Sequence, residues 1–187
     1  MRAALLAQLV LLFIATQALG LWVGYQFLGL GVQATIVSEN PEGVENSIGV
    51  MAYILGITAV LLVIIKFVKG KGLYFIFKAI EGLAIFGASL LVFLTFMPET
   101  QALVLALVLV AVRNIFPQNI WLRNASSLLA TVGAGALLGV SLGVLPVMVL
   151  LVLLAVYDYI AVFRTKHMVA MAKAVTKKNL AFTFALP

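Results

Sequence analysis

Apolar residues run along the chain in long stretches, near residues 3–30, 48–68, 73–97, 102–116, 125–143 and 145–163, with short polar segments between them. Most of these stretches reach the roughly 20 residues that a helix needs to cross a ~30 Å hydrocarbon core, and the fourth is the short one. Backbone polar groups in lipid must be satisfied within their own segment, so such stretches predict helices. The expected fold class is all-α, a polytopic membrane helix bundle of about six transmembrane helices. No low-complexity tract or long linker interrupts it. Residues 1–187 are therefore expected to form a single membrane domain, with 164–187 a tail or loop beyond the last span.

Composition supports the same picture. The chain is 65% apolar and only 10% charged, whereas a water-soluble domain is about half apolar and a quarter charged. It has no cysteine, which excludes thiol chemistry and a disulfide framework. A net charge of +6 would suit nucleic acid if it were gathered on one face, so its distribution decides the matter. The basic residues are Arg2, then Lys66, Lys69, Lys71 and Lys78, then Arg113 and Arg123, then Arg164, Lys166, Lys173, Lys177 and Lys178. Between those groups lie Glu39, Glu42 and Glu45, then Glu99, then an uncharged turn near Pro146. Lys and Arg are retained on the cytoplasmic side of short loops, so this alternation over six crossings predicts both termini in the cytoplasm. The basic excess is topological, and a nucleic-acid partner is not expected. The first stretch is too long for the 7–15 residues of a signal-peptide core, which makes it a retained helix.

Small-xxx-small spacings at Gly20 and Gly24, and at Gly135, Gly139 and Gly143, predict close helix packing. The connection from Arg113 to Asn124 carries Pro117 as a breaker and Trp121 as an interfacial anchor. Asn124-Ala-Ser126 matches a glycosylation acceptor, but the predicted topology puts it on the cytoplasmic side.

Only two acidic residues fall inside predicted helices. Glu81 lies one turn from Lys78, near a helix end, and is expected to form a structural ion pair. Asp158 is the only aspartate in the chain, with no cation within four residues on either side; Arg164, six residues on, is roughly 9 Å further along the helix. A charged side chain at such depth costs at least ~2.5–3.5 kcal/mol, and intramembrane acids mark functional sites, with the side chain facing the bundle or a water-filled cavity. Ala155 and Ala161 flank it at i−3 and i+3, leaving room for another helix to bring a second group close.

The run Ala155-Val156-Tyr157-Asp158-Tyr159-Ile160-Ala161-Val162, with the basic segment Arg164-Thr165-Lys166-His167-Met168 after it, resembles the sixth transmembrane helix of the presenilin and signal peptide peptidase family of intramembrane aspartyl proteases, the archaeal presenilin homologues in particular. That resemblance implies an active site of two aspartates, one in Tyr-Asp and one in a Gly-x-Gly-Asp of a seventh helix. It makes Asp158 a catalytic residue and Tyr157 a supporting one. It also implies a transmembrane-helix substrate within the lipid bilayer, a single span that unwinds near the site and is cleaved without metal or organic cofactor. Two close carboxylates that share one proton supply the acid and the base that peptide hydrolysis needs.

The sequence departs from the family pattern in two respects. It has no second aspartate, and neither Gly133-Ala-Gly135 nor the terminal Ala185-Leu186-Pro187 supplies Gly-x-Gly-Asp or Pro-Ala-Leu. The chain therefore resembles the amino-terminal six helices of a nine-helix protease, is expected to be inactive alone, and is expected to require a segment or chain that supplies both motifs. Residues 180–187 alternate large and small with a period of two, as a strand pairing with an extended substrate would, against the plainer reading of a disordered loop end. His167 is the only histidine, so neither a zinc site nor a serine site with a histidine base has its residues, and Ser89, Ser126, Ser127 and Ser141 have no base in a neighbouring span. The rival reading from the residues themselves is a transporter or channel in which Asp158 relays a proton or binds a cation; another is a structural subunit in which Asp158 makes a packing hydrogen bond.

Overall fold

A computed structural model describes residues 2–68, 70–166, 168, 169 and 172. Lys69, His167, Lys173, Lys177, Lys178 and the segment 180–187 lie outside the described residues. The chain is a succession of helices: α1 (Arg2–Leu30), α2 (Val44–Phe67), α3 (Gly70–Leu94), α4 (Glu99–Ile115), α5 (Ile120–Ser141) and α6 (Val144–Tyr159), the last continued by a single π-helical turn, Ile160–Arg164. Five of the helices, counting α6 with its π turn, are long and apolar enough to cross a membrane. α4, with 17 residues, is the short one; at 1.5 Å per residue it reaches about 25 Å. The outward surface is strongly apolar, with Leu21, Tyr25, Phe67, Phe75, Leu83 and Val144 exposed, as expected of side chains that face lipid.

Two helices start at least four residues earlier than hydropathy places them. α2 takes in Glu45, Asn46 and Ser47, and α5 begins at Ile120 because Asn119 caps it, its Oδ1 accepting the Leu122 N–H at 3.1 Å. Polar side chains within the helices are satisfied locally. The hydroxyls of Thr16, Ser89, Ser126 and Thr131 donate to the carbonyls of Leu12, Ile85, Leu122 and Ser127, four residues back, at 2.6–2.8 Å.

The chain divides into two compact units. One comprises the residues up to Gln33 together with Lys78–Val140. Its core joins Val23 and Phe27 of α1 to Val92 of α3 and to Val132 and Ala136 of α5. Gly133 is buried there, where a Cβ would collide with the backbone carbonyl of Ala88. The other glycines behave differently. A Cβ at Gly20, Gly135 or Gly139 would meet no neighbouring atom, because these positions border a groove of about 570 Å³ between α1 and α5, with Thr16 and Thr131 also on its wall. Elsewhere in the expected rows, a Cβ at Gly24 would touch the Val140 side chain at 3.9 Å and one at Gly143 would collide with the Glu42 carboxylate, while the close approach to another helix's backbone falls at Gly133.

The second unit comprises Ala34–Phe77 and the described residues from Ser141 onward. Its core joins Val50 of α2 to Leu142 and to Leu150 of α6, with Met51, Ile54, Val147 and Leu154 packed around them. The loop before α2 is folded by Asn46, which is almost fully buried and makes four hydrogen bonds. Its Oδ1 accepts the N–H groups of Val37 and Ser38, and its Nδ2 donates to the carbonyls of Ser38 and Asn40. Pro146 stands in the first turn of α6, where its missing N–H has no partner to lose.

Candidate active site

The buried positions of α6 and its π turn are Pro146, Leu150 and Ala161, with Leu154 and Tyr157 half-buried between them. Spacings of three and four residues place them on one helix face, and that face packs against α2. Asp158 follows Tyr157 by about 100° around the helix, a turn being 3.6 residues, and therefore stands beside the packed face and not within it. It is exposed, and among the described residues it makes no hydrogen bond or ion pair. Its two small neighbours differ: Ala161 is completely buried, whereas Ala155 is exposed. A second group could reach the carboxyl over Ala155 without displacing the packing against α2.

The backbone changes character immediately after Asp158. The Ile160 N–H still bonds within the α-helix, to the carbonyls of Val156 and Tyr157, but the Thr165 N–H reaches the Ile160 carbonyl, five residues back, at 2.9 Å. The Thr165 hydroxyl donates to the same carbonyl at 3.2 Å. Lys166 then ends the helix with φ 56°, a left-handed conformation that is uncommon outside glycine. Single π turns are rare and recur at functional sites. On the outside of this turn, Tyr159 and Phe163 bring their rings to 5.3 Å between centroids.

The other intramembrane acid has a different environment. Glu81 is 1% exposed, and its carboxylate bridges Lys78 Nζ at 2.9 Å and Arg113 Nη2 at 3.2 Å. The Lys78 pairing is as the sequence predicts. Arg113, which the sequence reading assigns only to topology, is as buried as Glu81, and its Nη1 donates to the Pro117 carbonyl at 2.9 Å. The group ties α3 to α4 and to the turn after α4, so its charges are already spent on structure. Ser89 and Ser126 have likewise committed their hydroxyls to their own helices, and Ser141 Oγ accepts the Ala34 N–H at 2.7 Å. No three His, Cys, Asp or Glu side chains converge as metal ligands among the described residues. Of the two acids inside apolar spans, Asp158 is the one without an ion pair among the described residues.

A family profile described as signal-peptide peptidase, presenilin aspartyl protease matches residues 10–187. The chain belongs to this family. A presenilin-family protein is also found among solved structures: one described as a presenilin family intramembrane aspartate protease aligns with a TM-score of 0.63 and 29% identity, over 89% of this chain and 67% of that one. The curated proteins contain no match. This presenilin-family chain is thus an integral multi-pass membrane protein, its all-helical fold and apolar spans shared with intramembrane aspartyl proteases. Tyr-Asp-x-x-Ala-Val, at 157–162, lies within the region that the family profile matches.

Proposed function

We propose that this chain contributes one half of the active site of an intramembrane aspartyl endopeptidase, with Asp158 as one of two catalytic carboxylates. The observation that carries the reading is Asp158 itself: the sole aspartate of the sequence, exposed on α6 inside an apolar span, in a Tyr-Asp-x-x-Ala-Val run of a chain from an aspartyl protease family. In the proposed mechanism one carboxylate is ionised and takes a proton from water as that water attacks the scissile carbonyl. The other is protonated and donates to the carbonyl oxygen, after which a proton passes to the leaving amine. The second aspartate is to come from a Gly-x-Gly-Asp segment outside these 187 residues, together with a Pro-Ala-Leu motif. Tyr157, half-buried and adjacent on the helix, supports the placement of Asp158.

The substrate class is a single-span membrane protein whose helix unwinds locally, because a peptide bond inside a helix is shielded by its own turn. The chain alone holds one carboxylate of the pair and is expected to cleave nothing. Co-reconstituted with a polypeptide carrying the Gly-x-Gly-Asp and Pro-Ala-Leu helices, it should cleave such a substrate, and Asp158→Ala should abolish cleavage while the helical circular dichroism is unchanged. Cleavage that survives the substitution would remove Asp158 from the catalytic machinery.

A further inference from the structure

α6 has no charged side chain of its own at its first end to hold Asp158 at a fixed depth; the charge that stands there is the carboxylate of Glu42, from the loop before α2, lying against Gly143. From Leu142 to Tyr157 every residue is uncharged. Beyond Asp158 the nearest cations are Arg164 and Lys166, whose long stems let the charged group reach water from a range of depths. α2 is anchored at both ends. Glu45 lies in its first turn and Lys66 in its last, both exposed. The 21 residues from one to the other span about 32 Å, close to the ~30 Å of the hydrocarbon core. Sliding α2 in either direction draws one of these charges into lipid.

The two helices run parallel, and most of their seam is aliphatic: Val50, Met51 and Ile54 against Val147, Leu150 and Leu154. Lipid tails are as apolar as these side chains, so the seam gains little from apolar burial itself. A slide of one helix along the other exchanges one aliphatic contact for another. Directional bonds at the first end of the seam break that equivalence. Ser47 Oγ donates to the Pro146 carbonyl at 2.6 Å, with both residues buried, and it joins the first turn of α2 to the first turn of α6. The adjoining backbone is tied in the same sense, Ala34 N–H to Ser141 Oγ at 2.7 Å and Gly143 N–H to the Pro41 carbonyl at 2.8 Å.

We propose that Ser47 is a positioning residue: its bond to Pro146 suspends α6 from the anchored α2 and thereby sets the depth of Asp158. The carboxyl lies twelve residues beyond Pro146, about 18 Å along a rigid helix, so a shift at the suspension point is transmitted to it in full. The depth itself follows from the geometry; its effect on cleavage rests on the reading of Asp158 as catalytic.

The absence of native cysteine makes the depth directly measurable. A spin label at Asp158→Cys in the 187-residue chain, reconstituted in liposomes, reports depth through its collision rates with oxygen and with a water-soluble nickel chelate. Ser47→Ala should change that depth, Ser47→Thr should preserve it, and a label at Val63→Cys on α2 should stay where it was. A label at position 158 that keeps its depth in the inserted Ser47→Ala protein overturns the proposal. Should Ser47→Ala not insert, the shape-matched pair Ser47→Thr and Ser47→Val decides the same question, with equal depths in the two refuting it. In the co-reconstituted protease, Ser47→Ala should move the cleavage position along the substrate and lower kcat, by up to ~100-fold for a misplacement near 1 Å, with KM little changed. If Asp158→Ala retains cleavage, the protease reading fails while the depth measurement still decides the role of Ser47.

Discussion

Glu81 and Asp158 are both carboxylates inside apolar helices, yet their surroundings differ. Glu81 is enclosed by two cations that hold it at 2.9 and 3.2 Å. Asp158 stands exposed beside a packed face, with no ion pair among the described residues. A buried ion pair is costly to break from one side, because the survivor is left charged and enclosed. Glu81→Met should therefore destabilise the protein by about 3–5 kcal/mol, read as a fall in thermal midpoint in detergent. Glu81→Met combined with Arg113→Met should be less destabilising than the sum of the two single changes; strict additivity would mean that the pair is not coupled. Of these contacts the sequence discloses only the near one. Lys78 is three residues from Glu81 and announces itself by helical spacing, whereas Arg113 arrives from another helix, and no pattern along the chain links the two positions. Asp158 is legible for the opposite reason: a single charge in a long apolar run has no other explanation nearby.

At the scale of the helices, glycine spacing misleads where contact geometry does not. The rows at Gly20 and Gly24 and at Gly135, Gly139 and Gly143 have the spacing of a packing motif, but a Cβ at Gly20, Gly135 or Gly139 would meet open space, Gly143 faces the Glu42 carboxylate, and the close approach to another helix's backbone falls at Gly133 against Ala88. Gly133→Ala should cost about 1–3 kcal/mol, since the obstructing atom is backbone and cannot rotate aside. Gly139→Ala, which meets open space, should be neutral or gain up to ~1 kcal/mol from helix propensity. Thermal midpoints of the two variants in one detergent separate these outcomes, and equal losses would contradict the packing described. Helix existence and most boundaries are readable from hydropathy because lipid demands it. The early starts of α2 and α5 are not, since they depend on what Asn46 and Asn119 do with their side chains. The π turn is equally silent, because five residues are too few for a period to distinguish bonds four residues back from bonds five residues back.

At the scale of the molecule, acidic and basic connections alternate through the chain. The arrangement supports both termini on the basic side, with the loop around Ser38–Ser47 on the other. A glycosylation acceptor engineered into that loop should be modified in a microsomal membrane, and the native Asn124-Ala-Ser126 should not; the reverse pattern would invert the orientation. Orientation matters chemically, since it decides from which side water reaches Asp158. The charge pattern is what predicts this orientation, whereas the bonds that join the start of α6 to α2 and to the loop before it leave no trace in that pattern, because Ser47 and Pro146, Ala34 and Ser141, and Pro41 and Gly143 lie far apart in sequence.

The π turn also alters how positions on either side of it can be compared. A turn closed five residues back holds one residue more than the α turns before it, so side chains beyond it are out of phase with any helical wheel drawn through Asp158. Cross-links, labels or alignments that run continuous α-helical phase from Tyr157 to Lys166 will place the basic end of the helix at the wrong azimuth. Removing one residue from Ile160–Arg164 is the change that would bring the two halves back into a single phase.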